Sequence, residues 1–342
     1  MVREETGLHD VIVIGAGVAG LQCARRLRSA GAEVLIVDRA DKVGGRCATR
    51  SFDGQPFDYG PLFIHGYDPR FLASVEAVTE AGRLEGWPQR IRGTGTPCQP
   101  DAFAPYETRL GFAEGLHAFP HALAAGLEVK LHTQIASAGA KDGRVTVVST
   151  TGDSLVGRDV VLAMALEQSV PFLRMLAPVG LDGALELLGM FASVPCLTVA
   201  AEYPSATPAP DWDIFYPEDD PALLLIGNES AKRPQGHLLT MVVQAAPRWS
   251  RDRLEEPKEA WSRELLACAA RRLGAWAASP ERVHPHRWRF ARLDRANELA
   301  APMTLRTGTS RIGLVGDLFA PGGGVQAAWL SGDRLGEEMG GS

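Results

Sequence analysis

Residues 10–49 read DVIVIGAGVAGLQCARRLRSAGAEVLIVDRADKVGGRCAT, and most of the architecture follows from them. "DVIVIG" (10–15) is a short β-branched run closed by glycine, the pattern of a buried strand. Helix is expected from about Gly17 to Ser29 and is ended by Gly31, a residue that accepts the left-handed conformation just past a helix. "EVLIVD" (33–38) is a second buried strand. Gly15, Gly17 and Gly20 form G-x-G-x-x-G where the first strand turns into the helix. The first glycine permits the tight turn, the second lets backbone approach a pyrophosphate, and the third lets helix pack on strand. The helix start offers unpaired N–H groups at Val18 and Ala19, with partial positive charge, to a phosphate. Asp38 closes the second strand, where a carboxylate can accept hydrogen bonds from ribose hydroxyls. Strand, glycine turn, helix, strand and acid in this register predict a βαβ unit on a parallel sheet, built to hold a dinucleotide.

Beyond Asp38 comes Gly44-Gly45-Arg46, with Arg39 in between. An NAD domain needs nothing there. A second glycine pair allows another close backbone approach, and Arg46 or Arg39 can put a charge beside the diphosphate. The triplet resembles the "GGR" signature of the amine-oxidase type of FAD-dependent oxidoreductase, and that resemblance implies FAD. The stretch LVGDLFAPGGGVQAAWLSG (314–332) agrees, with Gly316-Asp317 after a buried strand, then glycines, then a helix. In the superfamily that it resembles, the carboxylate corresponding to Asp317 meets the ribityl chain, and the helix N-terminus, through backbone at Val325 and Gln326, meets the flavin N1–C2=O edge. A helix dipole suits that edge because reduced flavin carries negative charge there. The resemblance also implies cofactor contacts at Gly60 and Pro61, and a backbone edge toward adenine at Ile135. The turn at 321–324 has no cysteine, so the FAD is expected to be non-covalent.

The middle of the chain reads differently. Residues 92–105 are rich in Gly and Pro, a long loop or lid. Strands are expected at 127–135 and 144–150 around the turn "KDG", at 159–165, and at 195–203, 222–229 and 237–246. Helix is expected at about 256–274, a strand at 282–292, a buried strand at 312–317 and a final helix from about Val325. The fold class is therefore α/β: a Rossmann-like FAD-binding domain on a parallel sheet, interleaved with a substrate domain on an antiparallel sheet plus helices. The expected division is 1–68, 108–166 and 296–342 for FAD, and 69–107 and 167–295 for substrate.

Four patches point further. FDYGPLFIHGYDPRF (57–71), VVLAMALEQSVPFL (160–173), the strands within 226–250, and "HRW" (286–288) resemble, in order, segments of the renalase group of flavin oxidases. Renalases oxidise isomeric dihydronicotinamides, the 2- or 6-dihydro forms of NAD(P), to NAD(P)+ and pass the electrons to oxygen, giving hydrogen peroxide. Regained ring aromaticity drives the hydride loss, so the site must chiefly place the ring and exclude water. The resemblance implies that Leu62, Phe63, His65 and Trp288 form the substrate side. One departure is that Pro61-Leu62-Phe63 stands where renalases carry a polar–aromatic pair. The alternatives are an FAD-dependent amine oxidase or desaturase, which would need an aromatic cage, and a non-catalytic flavin- or NAD-binding regulator.

Composition narrows the partners. The net charge is −6 and no basic stripe with interleaved aromatics occurs, which argues against nucleic acid. No run of about 18 apolar residues occurs, so no membrane span is expected. The expected partners are a small-molecule substrate and molecular oxygen. Five scattered cysteines without CxxC spacing read as reduced, buried thiols of a cytoplasmic protein. His284 and His286 share one strand face but lack further ligands, so no metal site is expected. Lys232 is expected to be solvated, and Trp249 and Trp261 to be core.

Overall fold

The N-terminal strand runs over Arg3–Ile14 in the computed structural model, which describes residues 3–78, 82–95, 97, 100–233, 238–294 and 298–341. Val34–Val37 and Asp153–Leu162 flank it in parallel, and Glu128–Lys130 and Ser310–Leu314 extend the parallel array outward. Two antiparallel additions, Ile135–Lys141 with Arg144–Ser149 and Met303–Thr307 beside Ser310–Leu314, complete the sheet. Ile12, Val37, Val160, Leu162, Ile312 and Leu314 are buried to 0% exposure in its core. Each fully buried aliphatic side chain of this kind contributes about 1.5–3 kcal/mol. The alternation of apolar residues is absent here because the sheet is covered on both faces.

The helix Val18–Ser29 lies against the last helix, Gly324–Gly340. A Cβ on Gly332 would sit 2.2 Å from the Ala19 carbonyl oxygen, and one on Gly336 would sit 2.5 Å from Arg26 Cβ. This pair of glycines, one turn apart, sets how closely the helices approach. The contact is fixed by Asp333, which accepts from Gln22 Nε2 and pairs with Arg26 Nε, both at 2.9 Å.

These elements belong to one compact unit, Met1–Gly45, Phe119–Ser193 and Leu293–Ser342; the other unit is Arg46–Ala118 and Val194–Arg292. Residues 46–68 and 108–118 thus pack within the second unit and 167–193 within the first. The second unit is built on a sheet ordered Arg282–Leu293, Ser193–Glu202, Thr240–Ala245, Leu223–Asn228, Ile214–Phe215, Ile91–Arg92. One face carries the helix Lys258–Leu273, with Trp249 and Trp261 in the core as expected. The other face packs Phe57, Leu62, Phe63, Tyr216, Leu225 and Val242.

Two expectations change. The strand predicted over 127–135 is divided: Glu128–Lys130 joins the parallel array, and the hairpin partner of Arg144–Ser149 is Ile135–Lys141. His132, at φ 53°, turns the chain between them, and its N–H and that of Thr133 bond to the carbonyls of Ala40 and Asp38. The helix predicted over 256–274 is preceded by a separate one, Pro247–Asp252, because Pro257 starts a new helix at Lys258. Between residues 46 and 112 the chain also forms a hairpin, Thr49–Phe52 with Gln55–Asp58, and a small sheet of Ile64–Gly66, Thr108–Phe112 and Arg83–Glu85. Within 92–105, Pro100–Phe103 forms a 3-10 turn, while 96, 98 and 99 lie outside the described residues, as does His237 of the strand expected from 237.

Candidate functional site

In the first unit the glycines do what their spacing requires. Gly15 has φ 116°, and a Cβ there would meet the Ala163 carbonyl oxygen at 2.5 Å. A Cβ on Gly20 would lie 2.1 Å from the Gly15 oxygen, so no side chain fits where the helix leaves the turn. Gly17 is the N-cap of Val18–Ser29 and supplies no capping side chain, which leaves the N–H groups of the first turn, at Val18 and Ala19, aimed outward from the turn. Gly44 donates to the Ala16 carbonyl at 2.8 Å and bridges to Gly17, bringing the second glycine pair onto the first. Gly45 lies so close that a Cβ would be 3.3 Å from Gly17 Cα.

Asp38 holds this cradle together. Its carboxylate accepts from Ala16 N at 2.7 Å and from Ala40 N at 2.8 Å. Arg39 is exposed, and Ile135 begins its strand at 9% exposure. At the C-terminal end, Gly316 donates to Ser331 Oγ at 3.1 Å and Asp317 follows, half-buried. Gly322, Gly323 and Gly324 have φ of 90°, 61° and 67°, a left-handed run that only glycine makes without strain. The N-cap Gly323 supplies no side-chain cap to the helix at Gly324, although the Glu298 carboxylate accepts from Gly322 N at 2.6 Å just before it, so Val325 and Gln326 stand at a second helix N-terminus without a capping side chain of its own. Two uncapped helix starts and glycine surfaces that a Cβ would fill suit a bound diphosphate and an anionic ring edge. The residues present fit FAD.

The second unit holds the remaining predicted residues. Gly60 accepts from Gln244 Nε2 at 2.6 Å, and a Cβ on it would meet the Arg46 carbonyl at 2.1 Å. Pro61 follows, half-buried. Arg46 sends Nη1 to the Ala291 carbonyl at 3.3 Å. Leu62 and Phe63 are each 3% exposed and fill the core beneath the sheet; Leu62 Cδ1 would lie 2.2 Å from a Cβ on Gly227. His65 Nδ1 lies 2.9 Å from Glu107 Oε2, and both are buried. Trp288 is half-buried; its Nε1 donates to the Tyr59 carbonyl at 2.7 Å, and its ring stacks on Tyr59 at 5.3 Å and 20°. His284 and His286 continue the row, with centroids 5.3 and 4.8 Å from Tyr59. Burial, followed by Arg50 and Lys258, lowers His284 to about 4; burial, then His284, Lys258 and Arg50, lowers His286 to about 4. Both imidazoles are therefore neutral at pH 7.

The sequence reading missed one cluster and misplaced one residue. Lys232 is not solvated: its ammonium is fully buried, 2.8 Å from Asp58 Oδ2 and 2.7 Å from Glu229 Oε1, and 4.5 Å above the Trp87 ring. Asp58 also accepts from Thr49 Oγ1 at 2.5 Å and Leu116 N at 2.8 Å, while its own N–H donates to Glu229 Oε2 at 3.0 Å. Burial raises the Glu229 carboxyl above the usual range, with Lys232 acting against it. The signal available in sequence was the Glu229–Lys232 spacing of three, which puts acid and amine on one side of a turn.

Four described cysteines, 23, 47, 196 and 268, are buried free thiols, and Cys98 lies outside the described residues. Burial pushes Cys23 and Cys47 up to about 12, so neither is a thiolate at neutral pH. Among the described residues no group of three His, Cys, Asp or Glu could hold a metal ion, and no helix is long and apolar enough to cross a membrane.

A family model for flavin-containing amine oxidoreductases matches residues 94–339, and one for an NAD(P)-binding Rossmann-like domain matches 13–77. A Mycobacterium tuberculosis protein named as a flavin-containing monoamine oxidase, AofH, is 51% identical over 73 residues, 21% of this chain and 15% of that protein. Putrescine oxidase of Kocuria rosea is 39% identical over 75 residues, 22% of this chain and 16% of its own length. The matched stretch thus spans about a seventh of the length of these curated relatives. Among solved structures, a putrescine oxidase bound to putrescine has TM-score 0.69 at 14% identity, covering 99% of this chain and 100% of that one. Cyclohexylamine oxidase of Brevibacterium oxydans has TM-score 0.67 at 16% identity, covering 97% and 100%. A mixed α/β fold, a glycine cradle that fits FAD and a family match over most of the chain agree: the protein belongs to the flavin-containing amine oxidoreductase family, and FAD is its cofactor.

Proposed function

We propose that this chain is an FAD-dependent oxidase of isomeric dihydronicotinamides, the 2- and 6-dihydro forms of NAD(P). The substrate ring gives up a hydride and becomes NAD(P)+, and oxygen with that hydride and one proton becomes hydrogen peroxide. FAD, when bound, supplies the two-electron acceptor. The glycine cradle of the first unit, with Asp38 and the helix start at Val325, is the part that would bind it. In the second unit Trp288 and His65 would form the substrate side, with Leu62 and Phe63 supporting them from the core.

One observation carries this reading: the Tyr59 and Trp288 rings stack on each other and are tied by the Trp288 Nε1 bond, instead of standing apart as two walls with room for an amine. The buried carboxylates of the unit are also committed elsewhere, Asp58 and Glu229 to Lys232, Glu202 to Arg282, Asp213 to Arg90 and Glu107 to His65. Such a unit offers flat surfaces more than a base, which suits a reaction that needs placement of a ring. Placement alone is worth about 7–11 kcal/mol of barrier. The second reading, oxidation of an amine, is favoured by the names of the relatives, a putrescine oxidase and a monoamine oxidase.

Stopped-flow flavin reduction decides between them, using NADH, the 2- and 6-dihydro isomers, putrescine and simple monoamines. The isomeric dihydronicotinamides should bleach the flavin fastest, and Trp288→Ala should slow that step while FAD stays bound. Bleaching by an amine, with the dihydronicotinamides inert, would replace this reading with the amine-oxidase one. No reduction by either class would leave a flavin-binding regulator.

A further inference from the structure

The strand Arg282–Leu293 puts His284, His286 and Trp288 on one face, since alternate residues of a strand point the same way. With Tyr59 they form a continuous row: His284 to His286 centroids 6.2 Å, His286 to Trp288 4.2 Å, and Tyr59 within 5.3 Å of all three. The three strand residues are half-buried, so each ring keeps part of its surface open. Nε2 of His284 is buried and has no hydrogen-bond partner among the described residues. That nitrogen is a hydrogen-bonding group without a mate in a row of stacking surfaces.

The charged side chains that act on the two imidazoles have one sign. The exposed Arg50 guanidinium lies 5.9 Å from the Tyr59 centroid, and Lys258, also exposed, is close enough to act on both imidazoles. Neither makes an ion pair among the described residues, whereas Arg282 nearby is taken up by Glu202 and Asp53. A cationic polyamine would meet two like charges here. A flat ring carrying phosphate would meet neutral stacking surfaces and two cations.

We propose that His284 and His286, backed by Tyr59 and with Arg50 and Lys258 beside them, form a subsite for the adenosine-phosphate half of a dinucleotide substrate whose nicotinamide end reaches Trp288. The assignment rests on the dihydronicotinamide reading for its physiological meaning, but its binding chemistry can be tested separately. Purine stacking on these rings should change affinity by about tenfold, and pairing of phosphate with the exposed Arg50 by about three- to fivefold.

The test uses FAD-loaded protein, so that the cofactor cradle is filled, and ADP-ribose as the probe, followed by calorimetry and by quenching of tryptophan fluorescence. His286→Ala should weaken ADP-ribose about tenfold, and the exposed Arg50→Ala, which leaves the core untouched, should weaken it about three- to fivefold. The KM for 2- or 6-dihydro-NAD should rise in each variant by the factor that its ADP-ribose affinity falls, with kcat little changed. The KM for dihydronicotinamide mononucleotide, which lacks the adenosine half, should stay the same. If ADP-ribose fails to bind, or binds both variants as tightly as the parent, the subsite is wrong. If dinucleotide and mononucleotide respond alike, the subsite is wrong although the oxidase reading survives. If ADP-ribose binding follows the variants but no dihydronicotinamide reduces the flavin, the subsite stands and the oxidase reading falls.

Discussion

Replacing Lys232 by Met tests the most unexpected feature of the second unit. Met keeps much of the length and apolar contact of the lysine stem but removes the ammonium that sits between Asp58 and Glu229 at 2.8 and 2.7 Å. All three side chains are fully buried, so neither carboxylate can turn to water for compensation. Glu229 is already driven toward its protonated form by burial, and Asp58 retains Thr49 and Leu116 as donors, which limits the damage. Breaking a buried ion pair by removing one partner costs about 3–5 kcal/mol. A surface lysine paired with an acid would cost only about 0–1 kcal/mol. Urea unfolding of the FAD-loaded protein at pH 7, followed by circular dichroism, separates these values. The triple variant Asp58→Asn, Glu229→Gln, Lys232→Met removes the orphaned charges together and should recover most of the loss. A single Lys232→Met variant within about 1 kcal/mol of the parent would refute the buried network. So would a triple variant no more stable than the single one.

Two further expectations concern the cofactor and pH. The purified protein should be yellow and release FAD on acid treatment, and Asp38→Ala should weaken FAD about ten- to hundredfold, the worth of roughly 1.5–3 kcal/mol for hydrogen bonds to a charged group; unchanged affinity in a fluorescence titration would mean that the acid only braces the turn through Ala16 and Ala40. His284 and His286, lowered to about 4 in the folded protein, are charged more readily in the unfolded chain. Their contribution is therefore complete above about pH 6.5 and is lost as pH falls toward 4, by about 1 kcal/mol each once the water-exposed part of each ring is allowed for. Urea midpoints at pH 7 and 4.5 should converge in a His284→Asn/His286→Asn variant relative to the parent, and equal losses in both proteins would contradict the neutral-ring assignment.

The sequence by itself determined the cofactor cradle, because its determinants are local. Gly15 and Gly31 take φ of 116° and 93°, and a Cβ on Gly20 would meet the Gly15 carbonyl, so these demands are set within a few residues, and Asp38 follows from where the second strand ends. Backbone positions that need a positive φ leave the same mark in any chain that folds this way, and the run Gly322–Gly324 is legible for the same reason. The break at His132 was not legible, since the carbonyls that hold it belong to Asp38 and Ala40, almost a hundred residues earlier in the chain. Nor was the fate of Lys232. The Glu229–Lys232 spacing allows a pair, but whether that pair meets water depends on the rest of the fold, and the second partner, Asp58, is 174 residues away. Tyr59 and Trp288 are 229 residues apart, and only their stacking distinguishes a closed pair from an open cage. Leu62 and Phe63 likewise read as possible walls until the sheet closed over them. Backbone sterics are decided within a turn of chain, whereas burial, charge pairing and ring geometry depend on what the rest of the fold brings alongside.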